Sequence, residues 1–61
     1  MLTKERIDGN TPSGGEYSEI YYFDDDMKAV DKSMATKIKI RECLSDGTLV
    51  NETAGRRKQH G

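Results

Sequence analysis

Tryptophan is absent from this 61-residue chain, and cysteine, histidine and proline occur once each, as Cys43, His60 and Pro12. A single cysteine excludes an intramolecular disulfide. A lone imidazole one residue from the C-terminal end excludes a His/Cys cluster with zinc spacing. No apolar run approaches the roughly 20 residues of a membrane helix. Met1-Leu2-Thr3-Lys4 leads into Glu5, Arg6 and Asp8 instead of the apolar stretch of a signal peptide. A soluble protein of the reducing cytoplasm is therefore expected. Hydrophobic residues are also scarce, at 33%. A domain this small buries a modest fraction of its surface, so idealised packing or association must supply its stability.

The charge that is present is unevenly distributed. Residues 1–26 carry seven acids against two bases, a net of −5, whereas residues 27–44 carry five bases against two acids, a net of +3. The last 17 residues add Arg56, Arg57 and Lys58 against Asp46 and Glu52. The chain is acidic first and basic later, with an overall charge of −1.

Residues 8–15, Asp-Gly-Asn-Thr-Pro-Ser-Gly-Gly, concentrate turn formers. Residues 1–15 are expected to be a flexible N-terminal arm, residues 16–54 a single small domain, and residues 55–61 a disordered basic tail. Tyr17 to Phe23 contains all four aromatics and reads as a strand, with Ile20 and Tyr22 on one face and Tyr21 and Phe23 on the other. Lys37 to Leu44 alternates, setting Lys37, Lys39 and Arg41 opposite Ile38 and Ile40. Asp46-Gly47 then signals a hairpin returning through Thr48 to Thr53. A two-residue loop would pair Leu44 with Leu49, Cys43 with Val50 and Glu42 with Asn51. The last, polar pair interrupts the apolar face, so a different register or a bulge is the alternative.

Residues 25–36 admit two readings. Met27, Val30 and Met34 fall on one helical stripe that Asp24 could cap. Alternatively, Asp24-Asp25-Asp26 makes a turn into a short strand, Met27 to Val30, with a brief helical turn after Asp31. Either way the expected fold is small α+β or mainly β: a three- to four-stranded antiparallel sheet with a C-terminal hairpin and at most one short helix. Tyr21-Tyr22-Phe23-Asp24 followed by Val30 resembles the Tyr-Tyr-Phe-Asp hairpin of choline-binding cell-wall repeats. The likeness covers about ten residues, without the tandem copies and the tryptophan of those repeats, and no function is carried over.

Catalytic chemistry has little to build on. His60 lies on an expected loose end, and a positioned base needs rigid support. Cys43, beside Leu44 on a strand, reads as a small buried hydrophobe rather than a nucleophile. Asp24-Asp25-Asp26 lacks the alternating oxygen ligands, glycine and distal glutamate of a calcium loop. Gly14-Gly15 lacks both the spacing and the Lys-Ser/Thr of a phosphate loop. No enzyme activity, catalytic residue, cofactor, metal or small-molecule substrate is expected.

What remains is surface. The leading expectation is a small interaction or regulatory protein binding another protein, or itself, through the aromatic strand or an open sheet edge. Its candidate contact residues are Tyr17, Tyr21, Tyr22, Phe23, Asp24, Asp25 and Asp26. One variant is an inhibitor from a phage or mobile element, whose acids (Glu16, Glu19 and Asp24 to Asp26) would enter the basic groove of a nucleic-acid enzyme. The competing expectation is a nucleic-acid-binding accessory using Lys37, Lys39, Arg41, Arg56, Arg57 and Lys58. The sequence pI of about 5.7 weighs against it. No membrane partner is expected.

Overall fold

The computed structural model describes residues 1–57. Four strands, β1 (Lys4–Asp8), β2 (Tyr17–Phe23), β3 (Lys37–Cys43) and β4 (Leu49–Arg56), form one antiparallel sheet. Their spatial order, β1-β2-β3-β4, follows the chain. This is the expected antiparallel sheet with its C-terminal hairpin. The aromatic strand β2 lies inside it, between β1 and β3, which answers its two-sided apolar character.

The sheet is larger than the expected 16–54 unit. Residues 4–8, assigned to the flexible arm, pair with β2 from Lys4↔Tyr21 to Asp8↔Tyr17. Their sequence, Lys-Glu-Arg-Ile-Asp, has one apolar residue and so no period-two signal. Backbone pairing with an aromatic neighbour orders them instead. Residues 55 and 56, assigned to the tail, complete β4, and the Arg57 N–H donates to the Thr36 carbonyl at 2.9 Å. Lys58 and His60 lie outside the described residues.

The helical stripe over 25–36 does not form. Among the described residues the only helical turn is 3-10, Lys32–Met34, capped by the Asp31 side chain. Residues 24–28 make a three-residue hairpin loop: the Asp24 N–H donates to the Lys28 carbonyl, and the Met27 N–H to the Asp24 carbonyl. Asp24 Oδ1 also accepts from the N–H groups of Asp26 and Lys28. The chain then bridges back, Ala29 against Phe23. A helix this short is marginal in water. Here Met27 is 46% and Met34 69% exposed, so the apolar residues of the stripe are not gathered on one buried face.

The C-terminal hairpin repeats that geometry. Leu44 N–H donates to the Thr48 carbonyl and Gly47 N–H to the Leu44 carbonyl, so the loop is three residues, 45–47, instead of the expected two. Cys43 therefore pairs with Leu49, not Val50, and a bulge restores Glu42↔Asn51 as expected. Gly47 takes φ +93°, the left-handed position of this turn. In the 24–28 loop the same position is held by Met27, at φ 62°. A side chain pays a steric penalty there that glycine avoids. Met27→Gly is accordingly expected to raise stability by about 0.5 kcal/mol, after allowing for the extra freedom glycine gives the unfolded chain. A higher urea midpoint at unchanged m-value checks it; an unchanged or lower midpoint would show that Met27 is not strained.

Few side chains are enclosed. The buried hydrophobic residues are Tyr17, Tyr22, Ala35 and Cys43. Tyr17 and Cys43 sit against each other on the sheet face that carries Arg6, Glu19, Tyr21, Phe23, Lys37, Lys39 and Arg41. Tyr22 sits on the opposite face with Glu5, Ile7, Ile20, Ile38 and Ile40. Residues 30–36 fold toward that face at the Tyr22 end, where Lys32 Nζ lies 5.9 Å from the Tyr22 ring centre. Ile7 stays 53% exposed.

Candidate interaction surfaces and sheet edges

The charged face places cations over aromatics. The Arg6 guanidinium lies 3.9 Å from the Tyr17 ring centre, Lys4 Nζ 5.3 Å from Tyr21, and Lys39 Nζ 5.8 Å from Phe23. Carboxylates are interleaved. Lys4 pairs with Glu19 at 2.8 Å, Arg6 with Asp8 at 2.8 Å, and Arg56 with Asp25 at 3.6 Å. Arg41 Nε approaches Glu52 Oε2 to 3.3 Å but without hydrogen-bond alignment, a loose contact rather than a fitted fork. The hydrogen bond from Lys4, with its charge, holds Glu19 below the ordinary carboxylate range. Exposed pairs like these are individually worth little. Their effect here is to neutralise much of the basic strand face.

Of the residues expected to bind nucleic acid, Lys37, Lys39, Arg41 and Arg56 share this face. Arg57 does not: it falls on the other face, 5.7 Å from the Tyr22 ring, and donates to the Lys32 carbonyl. The expected protein contacts divide too. Tyr17 is buried, Tyr21 and Phe23 are half-buried on the charged face, and Tyr22 is enclosed on the opposite face. Asp24 caps its own turn, and Asp25 accepts from Thr36 Oγ1 at 2.6 Å, while Asp26 is exposed. Asp24 is thus engaged within its own loop, and Asp25 with Thr36 and Arg56. Among the described residues no group of His, Cys, Asp and Glu is placed to hold a metal ion.

A polar cluster invisible in sequence closes the Tyr22 end. Tyr22 Oη donates to Glu5 Oε1 at 2.5 Å, and Lys32 Nζ pairs with the same oxygen at 2.9 Å. Tyr22's hydroxyl and then Lys32 hold the Glu5 carboxyl below its ordinary range, while burial first and Glu5 second push the Tyr22 phenol up. Asp31 ties the chain start to this end. Its Oδ1 accepts from the Leu2 N–H at 2.7 Å and its Oδ2 from Ser33, and the Lys32 N–H returns to the Leu2 carbonyl.

These bonds, the Ser33 hydroxyl first, bring Asp31 down to about 2. A depressed folded value means the ionised form favours the folded state. That stability is complete above about pH 4 and drains away as pH falls toward 2. In urea titrations between those limits, wild type is expected to lose its advantage over Asp31→Asn, the two curves meeting at the acid end. A gap that persists unchanged with pH would show that the charge contributes nothing.

The two sheet edges differ. Tyr22 N–H donates to the Thr3 carbonyl, so by alternation Lys4, Arg6 and Asp8 turn their backbone groups outward from β1. Four of the five residues of β1 are charged. On β4, Arg57 N–H points to Thr36, so Arg57, Gly55, Thr53 and Asn51 face β3 while Glu52, Ala54 and Arg56 face outward. β4 is eight residues, Leu-Val-Asn-Glu-Thr-Ala-Gly-Arg, with two charges and no proline. Shortness, charges and bulges are the usual defences of an edge. β1 is the shorter and more charged strand, and β4, with its bulge at Val50, is the longer and less charged one. No protein-family model, curated protein or solved structure matches this chain.

Proposed function

We propose that this chain is a non-enzymatic interaction protein that recruits a strand, from another protein or from its own copy, onto the β4 edge. The observation that carries the reading is the contrast between the two opposite edges: β4 is eight residues long with two charges, whereas β1 is five residues with four. Backbone groups of Glu52, Ala54 and Arg56 supply the hydrogen bonds, so the incoming strand needs little sequence of its own. The aromatic strand is interior to the sheet, so its role is to hold β1 and β3 apart and in register, and the contact surface passes to the edge.

Proline separates edge chemistry from folding. Ala54→Pro removes an outward N–H and leaves the β3–β4 ladder intact. Arg6→Pro does the same on β1. In affinity capture from the native host, a protein retained by wild type and Arg6→Pro but lost on Ala54→Pro supports the edge reading. No retained protein, or retention on all three baits, removes it.

A second reading rests on the charged face, where Lys4, Arg6, Lys37, Lys39, Arg41 and Arg56 surround Tyr21 and Phe23 in the manner of a platform for single-stranded nucleic acid. Its carboxylates, Asp8, Glu19, Asp25 and Glu52, work against that reading. Absence of binding to single-stranded oligonucleotides at low ionic strength eliminates it.

A further inference from the structure

We infer that the strand that fits the β4 edge best is β4 of a second copy, paired antiparallel about a twofold axis through Ala54; this deepens the edge reading and rests on it. Outward-facing residues must meet outward-facing residues across an antiparallel junction. Centring the axis on Ala54 sets Ala54 opposite Ala54, and Glu52 opposite Arg56 of the second copy, twice by symmetry. Centring it on Glu52 would set like charges against each other, and centring it on Thr53 would face both charges with no opposite charge.

The preferred register does more than pair two residues. Glu52 and Arg56 project from the same sheet face, since they pair with Arg41 and Lys37 of β3. Within one copy Glu52 lies beside Arg41, and Arg56 beside Asp25. Joined at β4, the two copies set Arg41, Glu52, then Arg56 and Lys37 of the second copy in one row across the sheet, with Asp25 of the second copy beside that Arg56. Cross-strand opposite charges are favourable and like charges unfavourable. The side chain at the axis is only a methyl group, so nothing obstructs the approach of the backbones. Three hydrogen-bonded pairs contribute about six hydrogen bonds, and the product is one eight-stranded sheet whose only free edges are the two charged β1 strands.

Charge reversal tests the register, using sedimentation velocity of the full chain over a wide concentration range. Wild type is expected to dimerise. Glu52→Arg alone and Arg56→Glu alone should each weaken the dimer about ten-fold. The double swap should restore it, although both intrachain pairs remain reversed; that rescue separates the interface from folding. Ala54→Pro should weaken the dimer roughly a hundred-fold. Ala54→Lys, which leaves the backbone free but sets two ammonium groups face to face, should lower it as well, and it serves in place of the proline variant if that variant loses its sheet signature in circular dichroism. In a half-labelled sample, NMR contacts between the α-protons of Thr53 and Gly55 of the second copy are expected, because that non-hydrogen-bonded pair lies closest.

A wild-type monomer at every concentration, a dimer indifferent to Ala54→Pro and Ala54→Lys, or a double swap without rescue each overturns the inference. A monomer that still captures another protein in an Ala54→Pro-sensitive way ends self-pairing and leaves the edge reading standing. Loss of both ends the two together.

Discussion

Tyr22→Ala is expected to leave this chain unfolded at room temperature. Tyr22 is 4% exposed and is one of four buried hydrophobic residues among those described. Removing an aromatic ring from a packed interior costs about 3–5 kcal/mol, through lost burial and the cavity left behind. At the usual stability per residue, a chain of this length holds roughly 3–9 kcal/mol in total. The loss is therefore comparable with everything available. The hydroxyl is worth less. Tyr22→Phe keeps the ring and removes the 2.5 Å bond to Glu5, whose carboxylate retains Lys32, so a cost of about 1–2 kcal/mol is expected. Tyr21→Ala, on a half-buried position of the other face, should lie between wild type and Tyr22→Ala. Urea melts of the three variants, with near-ultraviolet circular dichroism, make the comparison. Equal losses for Tyr21→Ala and Tyr22→Ala would mean that the enclosed end of the sheet does not hold the fold together.

Gly15→Ala is the second large effect, at about 1–3 kcal/mol of destabilisation. The reason is close approach, not an unusual backbone angle. A Cβ at Gly15 would stand 2.8 Å from Thr11 Oγ1, 3.1 Å from the Cys43 carbonyl oxygen and 3.2 Å from the Cys43 nitrogen. None of these neighbours is free to withdraw. Thr11 Oγ1 accepts from the Gly15 N–H at 2.8 Å, and the Cys43 carbonyl accepts from the Glu16 N–H at 2.7 Å. Glu42 holds the same loop from the other side, accepting from the Ser13 N–H at 3.1 Å. The substitution should therefore loosen the 9–16 loop and the start of β2 together. Gly55→Ala supplies the control, because nothing lies within 4 Å of its would-be Cβ. Matching denaturation midpoints for the two variants would show that Gly15 is not confined.

The glycine pair Gly14-Gly15 reads in sequence as a plain flexible turn, and half of that reading fits. Gly14 takes φ +89° within a turn closed by its own N–H to the Thr11 carbonyl. Gly15, its neighbour, is buried against β3. The contacts that confine Gly15 come from Thr11, four residues back, and from Cys43, 28 positions along the chain, and only the folded loop brings the two together. The same limit applies to Glu5, Asp31, Lys32 and Arg57. As letters they are scattered charges, and only the sheet register and the 24–36 connection gather Glu5, Lys32 and Arg57 around Tyr22 and set Asp31 against Leu2.

Sequence alone determined the elements whose signal is local. The period-two alternation of Lys37 to Arg41 and the aromatic run of Tyr17 to Phe23 set two strands and their faces, and Asp46-Gly47 set the hairpin, because side-chain direction alternates along any extended chain. Tertiary structure decided the rest: that a charged segment with no pattern becomes β1, that residues 24–36 turn and bridge instead of coiling, and that β4 is left as the longer, less charged edge. Those outcomes depend on which backbone groups find partners across the sheet, and pairing between distant strands leaves no mark on either strand's own composition.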